Sequence, residues 1–600
     1  MGLVADGGDL KSIREIVDYG LKNYSLDNFL NDWTGDMASP WVSTSMADYV
    51  SNSEALAKGL LEHGLKQQSH VAVYMNSDSK FVTVDMACIF ADIVTVPLHL
   101  NLDDDSIKYI LKHAETELCF LNNVEQLKRI APLAEYKTFI LTDTTGADAF
   151  NDLDIIALDD LLAKGRELSI ELPEVPGDNM FSIIYTSGTT GLPKGVVLNH
   201  SNVVELTKSE NLALDGGIDN ERLINYLPLS HIFAKTCFYV WIYHGTQVFF
   251  SNPELLMQHM AMVKPTNFCT VPRVLEKVND YFAVMGDQLP EEQKGPYQMA
   301  LQFVKTYDPD NPTPEGEATI KQLDPIFQKW RGAFGGELKY IISGGAALRP
   351  GISRMLRTIG IQVLEGYGLT ELPVIAVNRF TKTKSGTVGP AIPGVELKIA
   401  DDGEILVRGP LVMQGYYNNP EDSAETLVDG WLHTGDIGEL DDDGYLKITD
   451  RKKNIFKMAN GKFVIPMPLE ASLNSDLMIA QSVVIGSGRP FCTVLIFPEL
   501  ERLPLLAQKV GLQSQDIDEI LASPMVQGYF QQAIAKANST VPDWSTIKQF
   551  LVLNSVLAPE NGLMTSTLKV KKKKVEETFQ AQIDALYEST SKSKSIMGED

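Results

Sequence analysis

Between Tyr185 and Gly195 the chain reads YTSGTTGLPKG, a run of small hydroxyl residues and glycines with one lysine near its end. Glycines such as Gly188 let backbone N–H groups approach an anion closely. The hydroxyls of Thr186, Ser187, Thr189 and Thr190 add donors, and Lys194 adds charge. This set suits phosphate, and the composition alone suits a plain flexible turn equally well. Spacing excludes the P-loop, which sets Lys directly after Gly and a hydroxyl directly after Lys. Here Leu192 and Pro193 separate Gly191 from Lys194, and Gly195 follows the lysine. The dinucleotide pattern G-x-G-x-x-G is absent from the stretch.

The elements that must position this loop are readable around it. FSIIY (Phe181–Tyr185) is a short, continuous apolar strand that enters the loop, and GVVLNH leaves it as another. A helix is then predicted from Ser201 or Asn202, with Glu205 in its first turn. Upstream, SNSEALAKGLLEHGL has helical period and HVAVYMN reads as a strand. DMACIFADIVTVPLHL, DDSIKYILKHA, LCFLNN and TFILTD continue the alternation. Alternation of this kind predicts parallel sheets covered by helices. From about Met285 to Ala333 the chain turns polar, Pro-rich and partly helical, which reads as a surface insertion. From about 390 to 449 short strands and turns take over, with Asp402-Gly403 and Asp443-Gly444 as hairpin turns. The last 150 or so residues return to strands (QSVVIGS, FCTVLIFP), helices and a lysine-rich segment.

Bulk composition narrows the function classes. A chain of 600 residues with a formal net charge of −26 needs two to four domains and has no broad basic face. Nucleic acid is therefore excluded as an expected partner, and broad electrostatic attachment to anionic lipid is disfavoured. Five scattered cysteines without metal-ligand spacing read as reduced core residues in a reducing compartment. The N-terminus lacks the basic and apolar regions of a signal peptide. The most apolar stretches, Met86–Leu100 and Cys237–Phe250, are too short to cross a membrane and are interrupted by Asp92, His244 and Gly245.

With these residues in view, YTSGTTGLPKGV resembles the phosphate-binding signature of the adenylate-forming superfamily. Further motifs follow in that family's order. YLPLSHIF (Tyr226–Phe233) resembles its acyl-site motif. SGGAAL (Ser343–Leu348) and EGYGLTE (Glu365–Glu371) resemble its adenine and Mg²⁺ motifs. LHTGD (Leu432–Asp436) and DRKKN (Asp450–Asn454) resemble its ribose and hinge motifs, and NGLMTSTLKVKKKK its catalytic-lysine segment. The resemblance spans about residues 40 to 580.

The resemblance implies an α/β fold. A large N-terminal domain of stacked mixed sheets with helices, residues 1–450, carries a small β-barrel-like subdomain. A small, mobile α+β C-terminal domain, 451–600, follows a hinge near Lys453. It implies ATP, Mg²⁺ and CoA as cofactors. Thr186, Ser187, Gly188, Thr189, Thr190 and Lys194 would hold phosphates. Gly345, Ala346, Gly366 and Tyr367 would receive adenine, with Tyr367 stacking on it. Thr370 would touch the α-phosphate, and Glu371 is a hard oxygen ligand suited to Mg²⁺. Asp436 would accept ribose hydroxyls with Arg451 as its partner. His231 would position the acyl carboxylate, which needs no general base because it is already ionised at neutral pH. Lys569 would bridge the anionic carboxylate and α-phosphate as they meet. The four lysines at 571–574 depart from the commoner Lys-x-Lys-Arg ending, and their excess charge has either a CoA-binding role or none.

Local wording leans toward long-chain acyl-CoA synthetases: KPTNFCTVPRVLEKV, YIISGGAALRP and DRKKNIFKMANGKFVIPMPLE, together with the insertion. MPLE and PLHLNLDDD differ from the commoner forms and leave chain length open. The expected reaction is activation of a fatty acid as acyl-AMP, followed by transfer to CoA in the cytoplasm. Peripheral contact at the inner face of a membrane and a homodimer both stay open. Two alternatives are an acyl-acyl-carrier-protein synthetase, distinguished by its thiol acceptor, and a non-catalytic acyl or nucleotide sensor, distinguished by ATP–pyrophosphate exchange.

Overall fold

The computed structural model describes residues 10–186, 192–214, 221–558, 560–565 and 569–597. Ser187, Gly188, Thr189 and Thr190 lie outside the described residues. The chain divides into two compact units. The first comprises Met1–Lys398, Leu406–Thr434 and Leu440–Lys447; the second comprises Ile399–Ile405, Gly435–Glu439 and Ile448–Asp600.

Two eight-stranded sheets build the first unit. One runs Gly415–Tyr416, Lys194–Asn199, Met180–Thr186, Val94–Pro97, His70–Tyr74, Leu118–Leu121, Thr138–Leu141 and Asp154–Ala157. Its pairings are parallel from Met180–Thr186 onward and antiparallel over the first three strands. The other runs Ala376–Val377, Gln362–Tyr367, Tyr340–Ser343, Asn267–Thr270, Arg222–Asn225, Gln247–Phe250, Leu30–Trp33 and Trp41–Thr44. It is parallel except at its two ends. Parallel strands are covered on both faces, so HVAVY at His70–Tyr74 is buried at every position.

Two helices explain how the sheets share a core. Ser79–Phe90 is buried at every residue but Lys80, and Ile232–Tyr243 at every residue but Phe233. A helix apolar all round belongs in an interior. Ser79–Phe90 touches Val94–Pro97 of one sheet and Leu30–Trp33 of the other. Each helix carries one charge into this dry layer, Asp85 and Lys235, and the two are ion-paired. Tyr239 Oη donates to Asp85 Oδ2 at 2.5 Å, and Thr95 Oγ1 donates to Asp85 Oδ1 at 3.3 Å. Burial beside this carboxylate pushes the Tyr239 hydroxyl well above the usual tyrosine range.

The polar segment between 285 and 333 forms the helices Glu291–Thr306 and Pro314–Gly332. Their inward residues, among them Tyr297, Leu301, Phe327 and Trp330, join a hydrophobic cluster with Met260, Phe268 and Leu356. The helix predicted from Ser201 or Asn202 starts at His200. The Asn202 side chain accepts the Asn199 N–H at 2.8 Å, which sets the start earlier. A small five-stranded sheet contains the two Asp-Gly turns, with Gly403 at φ +86° and Gly444 at φ +80°. Both angles lie in the left-handed region that glycine adopts without strain.

In the second unit Ile479–Ile485, Cys492–Pro498 and Ile547–Val552 form a three-stranded sheet. Its residues alternate between two cores, as strand geometry requires. Val484, Val494 and Ile496 pack with Leu469 and Phe530, while Val483, Leu495 and Phe497 pack with Val575 and Tyr587. All five cysteines are buried and free. Among the described residues no helix is long and apolar enough to cross a membrane.

Breaking a buried ion pair by removing one partner costs about 3–5 kcal/mol, because the other charge is stranded. Lys235→Met is therefore expected to lower stability by about that amount, read as a lower urea midpoint. Lys235→Met combined with Asp85→Leu is expected to recover much of the loss.

Candidate active site

In the first unit the YTSGTTGLPKG loop joins antiparallel neighbours. Thr186 pairs with Lys194 and Tyr185 with Gly195, so the loop is the tip of a hairpin. A P-loop instead runs from a strand into a helix. A Cβ on Gly195 would lie 2.9 Å from the Tyr185 ring, so close strand packing requires glycine there. The Tyr185 hydroxyl lies 2.6 Å from His113 Nδ1.

Lys194 is held at the hairpin base. Its Nζ is 2.9 Å from Asp422 Oδ2 and 5.2 Å from the centre of the Tyr416 ring. Lys194 in turn holds the Asp422 carboxyl below the usual range. Tyr416 pairs with Val196 across the sheet, and its hydroxyl donates to Glu371 Oε1 at 2.8 Å. Burial first, and the Glu371 charge second, push the Tyr416 hydroxyl upward. The lysine of the loop and the carboxylate of EGYGLTE are thus joined through two residues, Tyr416 and Asp422, that motif reading passed over. GYYNNPEDS carries both, and its only sequence signal is a tyrosine and an aspartate after a β-rich stretch.

A second grouping of motif residues follows from sheet order. Tyr340–Ser343 and Gln362–Tyr367 are parallel neighbours, so SGG and EGY emerge side by side at their C-terminal ends. A Cβ on Gly344 would lie 3.5 Å from the Phe233 ring and 3.8 Å from the Gly366 carbonyl oxygen. Three separate motifs therefore meet at Gly344. Gly345, at φ +81°, and Ala346 are exposed and offer backbone to a ligand. Gly366, Tyr367, Thr370 and Glu371 are half-buried. A Cβ on Gly368 would stand 1.9 Å from the Pro373 carbonyl oxygen, so the turn to Thr370 needs glycine.

His231 is the N-cap of the buried helix Ile232–Tyr243, and its Nδ1 accepts the Phe233 N–H at 3.2 Å. The preceding residues are pinned from the other sheet. Ser77 Oγ accepts the Leu229 N–H at 2.8 Å, and His99 Nδ1 lies 2.8 Å from Ser230 Oγ. Burial lowers His99 to about 4, so its ring is neutral near pH 7. His99 belongs to PLHLNLDDD, one of the two stretches that depart from the commoner wording.

The second unit gathers the remaining residues. Asp436 is 4 % exposed at its side chain, and Arg451 Nε lies 3.1 Å from its Oδ1. The turn before it is fixed by Glu404, whose Oε1 accepts the Gly435 N–H at 3.0 Å and whose Oε2 binds Lys452 Nζ at 2.8 Å. Glu404 was not singled out by its sequence, because GEILVRG reads as an ordinary strand. Lys453 is lowered to about 8, first by burial, then by the Arg451 charge, with Lys569 acting in the same sense and Asp436 against it. Arg451, Lys453, Lys569 and Asp436 therefore act on one another within this unit. The Lys569 N–H donates to Thr565 Oγ1 at 3.0 Å, and its carbonyl accepts the Thr565 N–H at 2.8 Å.

Each unit offers its own chemistry. The first has exposed backbone at Gly345 and Ala346, the Tyr367 ring, the Glu371 carboxylate and Lys194; the second has the Asp436 carboxylate among the charges of Arg451, Lys453 and Lys569. Among the described residues no group of three or more His, Cys, Asp or Glu side chains could cage a metal. One carboxylate such as Glu371 suits Mg²⁺ that is carried mainly by phosphate oxygens and water.

Comparison with known proteins agrees with this geometry. The model of the AMP-binding enzyme family matches residues 31–417, and that of the AMP-binding enzyme C-terminal domain matches 453–591. The long-chain-fatty-acid–CoA ligase FadD15 of Mycobacterium bovis is 31 % identical over 559 residues, covering 91 % of this chain and 92 % of its own. Long-chain-fatty-acid–CoA ligase 1 of Homo sapiens is 28 % identical, covering 91 % and 83 %. Among solved structures, the adenylation domain of a carboxylate reductase from Mycobacterium chelonae superposes with a TM-score of 0.75. It is 21 % identical and covers 97 % of this chain and 91 % of its own. The anthranilate CoA ligase AuaEII superposes at 0.71 with 17 % identity, covering 95 % and 98 %. The family models take in motif segments of both units, and the chain belongs to the AMP-binding enzyme family.

Proposed function

We propose that this chain is a long-chain fatty acid–CoA ligase. It activates a fatty acid with ATP as acyl-AMP, releasing pyrophosphate, and then transfers the acyl group to CoA with release of AMP. The observation that carries this reading is the extent of the match to relatives named long-chain-fatty-acid–CoA ligase, 91 % of the chain. The family models match residues 31–417 and 453–591, the ranges in which the candidate site residues other than Asp436 and Arg451 fall.

In this reading the carboxylate oxygen attacks the α-phosphorus, and the bond from that phosphorus to the oxygen bridging to the β-phosphate breaks, so that pyrophosphate leaves intact with the electron pair. No proton moves at the carboxylate, since it is already ionised. The obstacle is repulsion between two anions, which preorganised cations reduce. Lys569 supplies that charge at the α-phosphate. Lys194 and the loop Thr186–Thr190 hold the departing phosphates. Gly345, Ala346, Gly366 and Tyr367 receive adenine, Asp436 accepts the ribose hydroxyls beside Arg451, and Thr370 touches the α-phosphate. His231 positions the acyl carboxylate from its helix cap. Glu371 would hold Mg²⁺, which when bound would supply charge neutralisation on the phosphates. Residues 1–450 and 451–600 act as two domains hinged near Lys453, with 285–333 and 390–449 as insertion and β-rich subdomain. Rotation about that hinge withdraws Lys569 and admits the CoA thiol to the acyl carbon.

Lys569→Ala is expected to slow fatty-acid-dependent pyrophosphate release by about 10²–10³-fold. It is expected to retain thioester formation from supplied acyl-adenylate. Equal loss of both half-reactions would refute the assignment. A chain-length series with CoA and with acyl carrier protein as acceptors tests the substrate class. Acyl-CoA from long chains is expected, and absence of exchange with every fatty acid overturns the ligase reading.

Lys453 adds a pH dependence with a defined sign. Its folded-state value is lowered to about 8, so the charge is present below that pH and is lost as pH rises through it. Adenylation is expected to decline over that limb. Lys453→Arg keeps its charge beyond pH 12 or so and is expected to move the limb upward. An unchanged limb would remove Lys453 from the field at the α-phosphate.

A further inference from the structure

The run KVKKKK at Lys569–Lys574 looks uniform in sequence, but its lysines do not share one environment. Lys571, Lys573 and Lys574 are exposed. Lys574 makes only a surface contact with Glu577, at 3.7 Å. Lys572 turns inward. Its Nζ binds both oxygens of Glu470, at 2.8 and 2.7 Å, with the two side chains 24 % and 12 % exposed. Glu470 Oε1 also accepts the N–H of Val484 at 2.9 Å. Val484 lies on Ile479–Ile485, an edge strand of the three-stranded sheet, so Glu470 covers a sheet edge as well as pairing a lysine.

Both ends of this pair lead to functional residues. Lys572 opens the helix Lys572–Thr578, three positions after Lys569. The segment between them is tied down by a bridge between Met564 and Val570 and by the Lys571 N–H donating to the Leu563 carbonyl at 2.9 Å. Glu470 lies on the helix Met467–Leu473. The first N–H of that helix, from Met467, donates to Asp450 Oδ2 at 2.8 Å. Asp450 is fully buried, and its Oδ1 accepts from the Arg451 N–H at 2.6 Å and from Asn454 Nδ2 at 2.9 Å. Two polar links, Asp450 to Met467 and Glu470 to Lys572, are therefore joined by the short helix Met467–Leu473 and lead from DRKKN to the segment three positions after Lys569.

We propose that the Lys572–Glu470 ion pair is a positioning device for Lys569, fixing its loop to the sheet edge and to the hinge motif. Adenylation then depends on the pair and thioester formation does not. The proposal rests on the role given to Lys569 above. A cation that must meet charge developing at one phosphorus needs its base held to a fraction of an ångström, and a 1 Å misplacement can cost about 10²-fold. The flanking exposed lysines do not supply this, since a solvated side chain keeps its freedom among rotamers.

The test compares Glu470→Gln, Lys572→Met, Lys572→Arg, Lys573→Met and Lys569→Ala. Each is assayed for pyrophosphate release with fatty acid and for thioester formation from supplied acyl-adenylate. Glu470→Gln and Lys572→Met are expected to slow adenylation by about 10²-fold while leaving thioester formation within about twofold. Lys572→Arg, which preserves a bidentate pair, and Lys573→Met are expected to stay near the parent. Adding Glu470→Gln to Lys569→Ala is expected to slow adenylation no further, because the pair acts only through that lysine. Equal loss in both half-reactions would make the pair merely structural and overturn the proposal, as would unimpaired adenylation in Lys572→Met. If Lys569→Ala alone shows the split, only this proposal falls. If Lys569→Ala spares adenylation, the reading of Lys569 falls and takes the pair's role with it.

Discussion

The Asp85–Lys235 pair sits where a charge is least tolerable, in the buried layer that the two sheets share. Neither charge can leave without stranding the other. Tyr239 and Thr95 fill further hydrogen-bonding positions around Asp85, so the pair fixes one relative placement of Ser79–Phe90 and Ile232–Tyr243. A purely apolar layer would accept several sliding registers. The consequence reaches the site, because Ile232–Tyr243 begins at His231 and Phe233. Ser77 and His99, each just past a strand of one sheet, then hold Leu229 and Ser230 at the entrance of that helix. The acyl motif is thus placed by the core rather than by its own loop.

Charge in the nucleotide crevice is distributed with similar economy. Lys194 meets Asp422, and Tyr416 bridges toward Glu371. Every polar group at this end is oriented by another, yet Glu371 and Thr370 remain half-exposed. A carboxylate oriented by a tyrosine hydroxyl keeps lone pairs for a hydrated cation on a polyphosphate, which is how Mg²⁺ is usually held.

Much of this was legible in the chain itself. Continuous apolar runs such as HVAVY gave buried parallel strands, and Asp-Gly pairs gave the two hairpin turns. The motifs named the residues that converge at Gly344, because glycines and hydroxyls cluster where backbone must approach a ligand. What stayed hidden depends on pairing at long range. Tyr416 matters through Glu371, 45 positions away, and Glu470 through Lys572, 102 positions away. Periodicity sees only near neighbours, so such residues look like ordinary members of a strand or helix. Asp85 and Lys235 were masked differently, each a lone charge in an apolar run. The segment 285–333 looked like a surface because its polar residues outnumber the stripe that packs Trp330 and Phe327 inward.

The cations of the second unit carry a final consequence. Arg451, Lys453 and Lys569 lie near enough for their charges to matter to one another, with Asp436 as a counter-charge. Lys453 is lowered to about 8, by burial first and by the neighbouring Arg451 and Lys569 charges after it. Like charges held together without a ligand raise the free energy of the empty site. An anion bound among them removes that repulsion and restores the lysine's affinity for its proton. Nucleotide binding and proton binding at Lys453 therefore favour one another, by the reciprocity that any linked pair of equilibria obeys. The same repulsion disfavours leaving Lys569 beside Lys453 and Arg451 once the phosphates have departed.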